Sequence, residues 1–251
     1  NISKGMPNSI ACIAAASPEE GVQVALRDIP SFYMTKLSYG PAVTRAMQIS
    51  GINTLKIESP IEETLLTVAQ ALNKRVQDVV VMMLDRPRHK DMVAEIRRVG
   101  ASLRMISDGD IAAAIAPAIA GSGIDVYLGI GGSPEAVLAA AAIKCLGGDM
   151  QCVMWPRDEK ERAQLVADGH EEDLGRVFFA DDLANGRNII FCATGISDSA
   201  LLKGVKTEGP NTITHSILMR AKSKTVRFIR ASHDLQNKTI RLRSDNREHT
   251  I

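Results

Sequence analysis

Between residues 79 and 147 the chain repeats one pattern three times: an apolar run, a polar or glycine-rich loop, then a helical stretch. This alternation limits the fold more than any other feature. The first apolar run, Val79-Val80-Val81-Met82-Met83-Leu84, is uninterrupted, as expected of a strand covered on both faces. It leads through Asp85-Arg86-Pro87-Arg88 into a helix over 89–99 that Gly100 closes. The second unit is a short strand over 103–106, the loop Ser107-Asp108-Gly109-Asp110, and an Ala/Ile helix over 111–120 with a kink or early stop at Pro117. The third is a strand over 125–128, the glycine loop Gly129-Ile130-Gly131-Gly132-Ser133, and an alanine-rich helix reaching Cys145. Ser133 reads as its N-cap, Pro134 as its first helical residue, and Glu135 falls in its first turn. The pattern predicts an α/β fold.

Open α/β sheets bind ligands at the carboxyl ends of their strands, so the three loops are expected to converge. The first offers the guanidiniums of Arg86 and Arg88, which suit phosphate, with Pro87 between them limiting loop entropy. The second offers the carboxylates of Asp108 and Asp110 around a turn-forming Gly109, suited to sugar hydroxyls or a metal. The third offers backbone N–H groups beside Glu135. Each has an ordinary alternative: arginines form surface ion pairs, and an acid in a first turn stabilises its own helix. The glycine loop does not follow G-x-G-x-x-G, and no glycine loop leads into G-K-[ST], which argues against dinucleotide and P-loop chemistry. Phosphate-ester or sugar-phosphate chemistry is left.

Outside this region the signals are weaker. The apolar run 9–16 begins almost without preamble, so a further upstream segment is expected, and with the turn 17–21 and the run 22–26 it reads as a hairpin. Tyr33, in the extended stretch 32–39, is either a core or a ligand-facing residue. Residues 61–72 form an amphipathic helix with Glu62 and Glu63 in its first turn. A strand over 150–154 precedes a charged helix through Ala167, read as solvent-facing, and 188–195 is a strand ending in a glycine turn. Residues 201–205 and 212–219 read as further sheet elements, 220–230 as a basic hairpin, and 237–251 as a polar tail.

Lys plus Arg number 30 against 29 Asp plus Glu, a net charge of +1, so neither nucleic acid nor a membrane is an expected partner and any anion site must be local. Cys12, Cys145, Cys152 and Cys192 are widely spaced without a C-x-x-C pair, and read as free thiols of a cytoplasmic protein.

Taken together, Pro7-Asn8-Ser9-Ile10-Ala11, Phe32-Tyr33-Met34-Thr35-Lys36-Leu37, Asp85-Arg86-Pro87-Arg88-His89, Ile106-Ser107-Asp108-Gly109-Asp110, Gly129-Ile130-Gly131-Gly132-Ser133-Pro134-Glu135, Lys144-Cys145-Leu146-Gly147-Gly148 and Cys192-Ala193-Thr194-Gly195-Ile196 occur in one order. In this the chain resembles the class II fructose-1,6-bisphosphatases of the lithium-sensitive sugar-phosphatase superfamily. The resemblance implies a layered α-β-α-β-α fold, with 1–55 as the remainder of an N-terminal phosphatase subdomain and 56–251 as a substrate-binding subdomain whose last strands return to the first sheet. It implies that Tyr33, Arg86, Pro87, Arg88, Asp108, Gly109, Asp110 and Gly132 contact fructose 1,6-bisphosphate and that Glu135 is a metal ligand. Mg²⁺ or Mn²⁺ would assist in-line attack of water on the 1-phosphate, giving fructose 6-phosphate and phosphate. Sedoheptulose 1,7-bisphosphate is an alternative or second substrate, and a homo-oligomer, dimer or tetramer, is implied. The family's remaining metal ligands and its water-orienting threonine belong to a segment preceding the residues that match Asn1, so the catalytic residues are unknown here. An inactive sugar-phosphate-binding remnant is the non-enzyme alternative.

Overall fold

The three alternating units build one half of a six-stranded mixed sheet. In the computed structural model, which describes residues 5–17, 21, 25–50, 55–235, 241–244 and 247–250, the elements in chain order are β1 (Ile10–Ala16), β2 (Tyr33–Tyr39), α1 (Pro41–Ser50), α2 (Ile61–Ala71), β3 (Val80–Leu84), α3 (Lys90–Val99), β4 (Ser102–Ile106), α4 (Asp110–Ile115), β5 (Val126–Gly132), α5 (Ser133–Leu146), β6 (Asp149–Met154), α6 (Glu159–Ala167), β7 (Phe178–Phe179), α7 (Ala180–Leu183), β8 (Ile189–Gly195), β9 (Lys206–Glu208), β10 (Asn211–Arg220), β11 (Thr225–Asp234), β12 (Arg241–Ser244) and β13 (Arg247–Thr250).

The first sheet has the order β4-β3-β5-β2-β6-β7. Strands β4, β3 and β5 are parallel, and β2 is inserted antiparallel to both β5 and β6. Strand β6 therefore points the same way as β3, β4 and β5, and four carboxyl ends open at one sheet edge. One face packs on α1, α2 and α3 through Leu65, Val68 and Ile96 against Leu37, Val81 and Val126. The other packs on α4 and α5. The second sheet runs β1-β8-β10-β11, with β9 paired to β10, and covers the far side of α5. Helix α5 is apolar nearly all round because it is buried between two sheets, and its alanines let them approach closely. Among the described residues the elements stack as α-β-α-β, four of the five layers expected.

Several local expectations are corrected. All of β1 pairs with β8; of the expected second hairpin arm 22–26, residues 22–24 lie outside the described residues and Leu26 bridges to Ala184 instead of to β1. Residues 201–205 are not strand; Leu201 and Leu202 are buried from a loop. Within the expected polar tail, β12 and β13 pair as a hairpin, while 237–240, 245, 246 and 251 lie outside the described residues. Helix α4 stops before Pro117, in a single 3-10 turn over Ala116–Ala118, as the proline suggested. The β10–β11 hairpin forms as read, with Lys222, Lys224, Arg227 and Arg230 exposed.

The outer face of the second sheet carries Ile13, Cys192 and Leu218 in one cross-strand row, flanked by Ile190 and Ile229. Ile13 is 63% exposed and Ile190 and Ile229 are each 43% exposed, so no described element covers this face.

Candidate ligand site

The largest chemical surprise is that the glycine loop is not a loop. Strand β5 continues through Gly132, with Gly129 to Gly132 paired against Lys36 to Tyr33 of β2. The glycines are there for proximity: a Cβ on Gly131 would overlap the Asp110 carboxylate, and one on Gly132 would overlap the Glu135 carboxylate. Ser133 is likewise not the N-cap. It is the first residue of α5 after the cap Gly132, and its hydroxyl donates to Pro30 O while accepting from Phe32 N–H at 3.1 Å.

Strands β3 and β5 pair only at Val81–Val126 and Met82–Tyr127, then part. The chain leaves β3 towards β4 on one side and returns to place β5 on the other, so this gap is the point where strand order reverses and where open α/β sheets hold ligands. The 3-10 turn Pro87–His89 fills its floor. Ile130 N–H, with no strand partner in the gap, donates to His89 Nε2 at 2.8 Å, and the opposite ring nitrogen, Nδ1, donates to Leu84 O at 2.6 Å. Burial holds the His89 pKa below its ordinary value, in keeping with this neutral tautomer. Ile130 O accepts from Arg88 Nε at 3.0 Å and Nη2 at 2.7 Å.

Above this floor lies an open cavity of about 630 Å³. Tyr33, Arg86, Arg88, Asp108, Gly109, Asp110, Gly132 and Glu135 all line it; of the residues singled out in the sequence only Pro87 does not, and it starts the turn beneath. Arg86 Nη1 donates to Ser107 O at 2.5 Å and Asp85 O at 2.9 Å, and Arg86 stands 3.5 Å from Asp108. Arg88 has no carboxylate partner among the described residues and lies over the Tyr33 ring, 4.7 Å from its centroid.

The acids differ. Asp108 accepts from Gly109 N–H at 2.7 Å, and Gly109, at φ 102, takes the left-handed conformation this tight loop needs. Asp110 is anchored from below by the wholly buried Lys36 and by the Tyr127 hydroxyl. Burial and the nearby Asp110 charge push the Tyr127 pKa well up, which keeps this hydroxyl a proton donor. Glu135 has no hydrogen-bond or ion-pair partner among the described residues, and its charge, after burial, raises the neighbouring Cys12 thiol pKa. It is the acid most available to a cation. Among the described residues, however, no group of three or more His, Cys, Asp or Glu could hold a metal ion, so they do not make a metal centre by themselves.

Sequence reasoning missed three participants. Lys36 is a charge inside a strand buried on both faces, a pattern that signals a buried counter-ion. Tyr127 reads as plain core. Asn8, at φ 66, closes the cavity against Gly109; its N–H donates to Asp198 O at 2.9 Å, so the loop after β8 positions it. Arg157, read as solvent-facing, is exposed as expected, and its guanidinium lies 5.7 Å from the Tyr33 ring centroid.

Fold and cavity define an α/β protein with a polar cavity, lined by guanidiniums and carboxylates, where parallel strands end. The profile of the family described as "Bacterial fructose-1,6-bisphosphatase, glpX-encoded" matches residues 1–233, and the chain belongs to that family. It is similar to a protein of Synechococcus elongatus named D-fructose 1,6-bisphosphatase class 2/sedoheptulose 1,7-bisphosphatase, 34% identical over 95% of this chain and 69% of the relative. A Microcystis aeruginosa protein of the same name is 35% identical over 90% of this chain and 65% of the relative. The chain thus spans about two thirds of the length of the curated relatives it matches. Among the described residues no helix is long and apolar enough to cross a membrane.

Proposed function

We propose that the protein is a sugar-bisphosphate phosphatase that hydrolyses the 1-phosphate of fructose 1,6-bisphosphate to give fructose 6-phosphate and inorganic phosphate. The observation that carries this reading is the gathering of Arg86, Arg88, Tyr33, the 108–110 loop and Glu135 around one cavity at the β3/β5 crevice. Arginines matched to phosphate, an anchored carboxylate matched to ring hydroxyls, and one unpaired carboxylate at a helix start together suit a phosphorylated sugar. In this reading Arg86, Arg88, Tyr33, Asp108, Gly109, Asp110 and Gly132 bind and orient the ligand, with Pro87 shaping the 86–88 turn. Water attacks phosphorus in line, the P–O bond to the sugar breaks, and the sugar oxygen leaves with a proton. Glu135 ligates a divalent cation, Mg²⁺ or Mn²⁺, whose remaining ligands are not among the described residues. Sedoheptulose 1,7-bisphosphate is a second candidate substrate, supported by the double names of the relatives.

The test is release of inorganic phosphate from each bisphosphate in saturating Mg²⁺ or Mn²⁺. Glu135→Gln is expected to lower kcat at least about 100-fold, the upper end of the loss when a metal's outer partners are removed. Unchanged kcat would reject the role of Glu135. The incomplete metal site favours one other reading, a binding-only protein; retained affinity for the sugar phosphate with no hydrolysis in either metal would establish it.

A further inference from the structure

Strand β6 ends at the same sheet edge as β3, β4 and β5, so the residues after it are delivered to the cavity rim as directly as the 86–88 turn. Trp155 N–H donates to Tyr33 O at 2.8 Å, locking the first residue past β6 onto the first residue of β2. The Trp155 ring meets Tyr33 edge-on, with centroids 6.4 Å apart and planes at 79°. Two residues on, the Arg157 guanidinium lies 5.7 Å from the Tyr33 centroid, while Arg88 lies 4.7 Å from the same ring. One aromatic ring at the cavity thus has two guanidiniums near it, from the segments that follow β3 and β6, on opposite sides of β2. Their separation cannot exceed the sum of these two distances.

Arg157 stands at the exposed rim, 61% accessible and outside the cavity lining itself, held without being used up. Its backbone N–H donates to Glu161 Oε2 at 2.8 Å and its Nε to Glu161 Oε1 at 2.5 Å, the same acid meeting Nη2. That leaves Nη1 with no partner among the described residues. Arg88 is spent in the same way, Nε and Nη2 on Ile130 O, again leaving Nη1. A helix-capping pair between Arg157 and Glu161 would explain the contact with Glu161, but it does not require the guanidinium to lie on a cavity-wall ring.

Building on the proposed function, we propose that Arg157 is a specificity-determining residue that binds the non-reacting phosphate of the sugar bisphosphate, across Tyr33 from Arg88. The reacting phosphate lies by Glu135, on β5's side of β2, and the distal phosphate meets Arg157 on β6's side. A planar guanidinium steadied on an aromatic ring forms fork-like bonds to phosphate that a substrate without a distal phosphate cannot use.

Calorimetric titration with fructose 6-phosphate and fructose 1-phosphate tests this on the wild type, Arg157→Gln and Arg157→Lys, each checked by thermal unfolding. Arg157→Gln is expected to weaken fructose 6-phosphate about tenfold, the value of one charge-assisted hydrogen bond, and to change fructose 1-phosphate by less than about twofold. Arg157→Lys, keeping the charge and losing the fork, falls between. Unchanged fructose 6-phosphate affinity in Arg157→Gln, or an equal loss for both sugars, overturns the assignment while leaving the proposed function standing. A wild type that binds neither sugar overturns both.

Discussion

At residue scale, adjacent glycines of β5 do different work. A side chain on Gly131 would meet the Asp110 carboxylate, which Lys36 and Tyr127 hold fast, whereas one on Gly132 would meet the end of the Glu135 side chain, which nothing described restrains. Gly131→Ala is therefore expected to cost about 1–3 kcal/mol by overpacking an atom that cannot yield. Gly132→Ala should fold nearly as well as wild type but lose phosphate release, because it displaces Glu135. Urea unfolding beside an activity assay separates the two; equal stability of both variants would contradict this account. These glycines were visible in the sequence, but their purpose was not. A G-x-G-G run reads as a turn signal, and only the partner strand β2 and the acids beneath and beside it reveal close approach instead. The anchoring lysine was missed for the same reason, since its counter-ion is remote in the chain and joins it only across the finished sheet.

At the scale of elements, the Pro87–His89 turn acts as a plug. It supplies hydrogen-bond partners to the Ile130 N–H and C=O where β3 and β5 part, and its histidine serves only when neutral. Burial lowers the His89 pKa from 6.5, so the folded state binds fewer protons there than the unfolded chain. The stabilisation is complete above the unfolded value and is lost as pH falls through the folded one. The unfolding midpoint is expected to hold steady from about pH 8 to about pH 7 and to drop below about pH 6. His89→Gln should lower the midpoint at pH 7.5 and flatten the acid drop; a drop of undiminished slope would assign the acid sensitivity elsewhere. The strand–loop–helix units that build this region were legible because uninterrupted apolar runs, Gly100 and Pro117 mark them locally. Strand β6 was legible as a strand, but its direction was not: that depends on β2 lying antiparallel between it and β5, so the sequence did not place the surface charge Arg157 beside Tyr33.

For the whole molecule, the outer face of the second sheet matters most. Ile13, Ile190 and Ile229 stand on a surface that no described element covers, and large apolar patches of this kind promote association. The 251-residue polypeptide produced by itself is expected to self-associate with rising concentration. The double variant Ile13→Thr, Ile190→Thr should shift it towards monomer in light scattering coupled to size exclusion, at little cost in stability because both side chains already face water. An unchanged distribution would place the contact elsewhere. The partner of the run 10–16 was not legible at this scale, since a run of small apolar residues specifies an extended segment without specifying its partner, and β8 lies far along the chain.

The antiparallel insertion of β2 also has a consequence in time. Tyr33, Lys36 and the rest of this strand are synthesised early, yet their neighbours β5 and β6 follow only after four other helices and two other strands have been made. The cavity cannot be assembled in the order of synthesis. Its aromatic wall and its buried lysine must wait, unpaired, until the centre of the sheet closes around them, and such distant pairings slow folding. An emerging chain of this kind depends on keeping one unpartnered strand out of trouble until its two neighbours arrive.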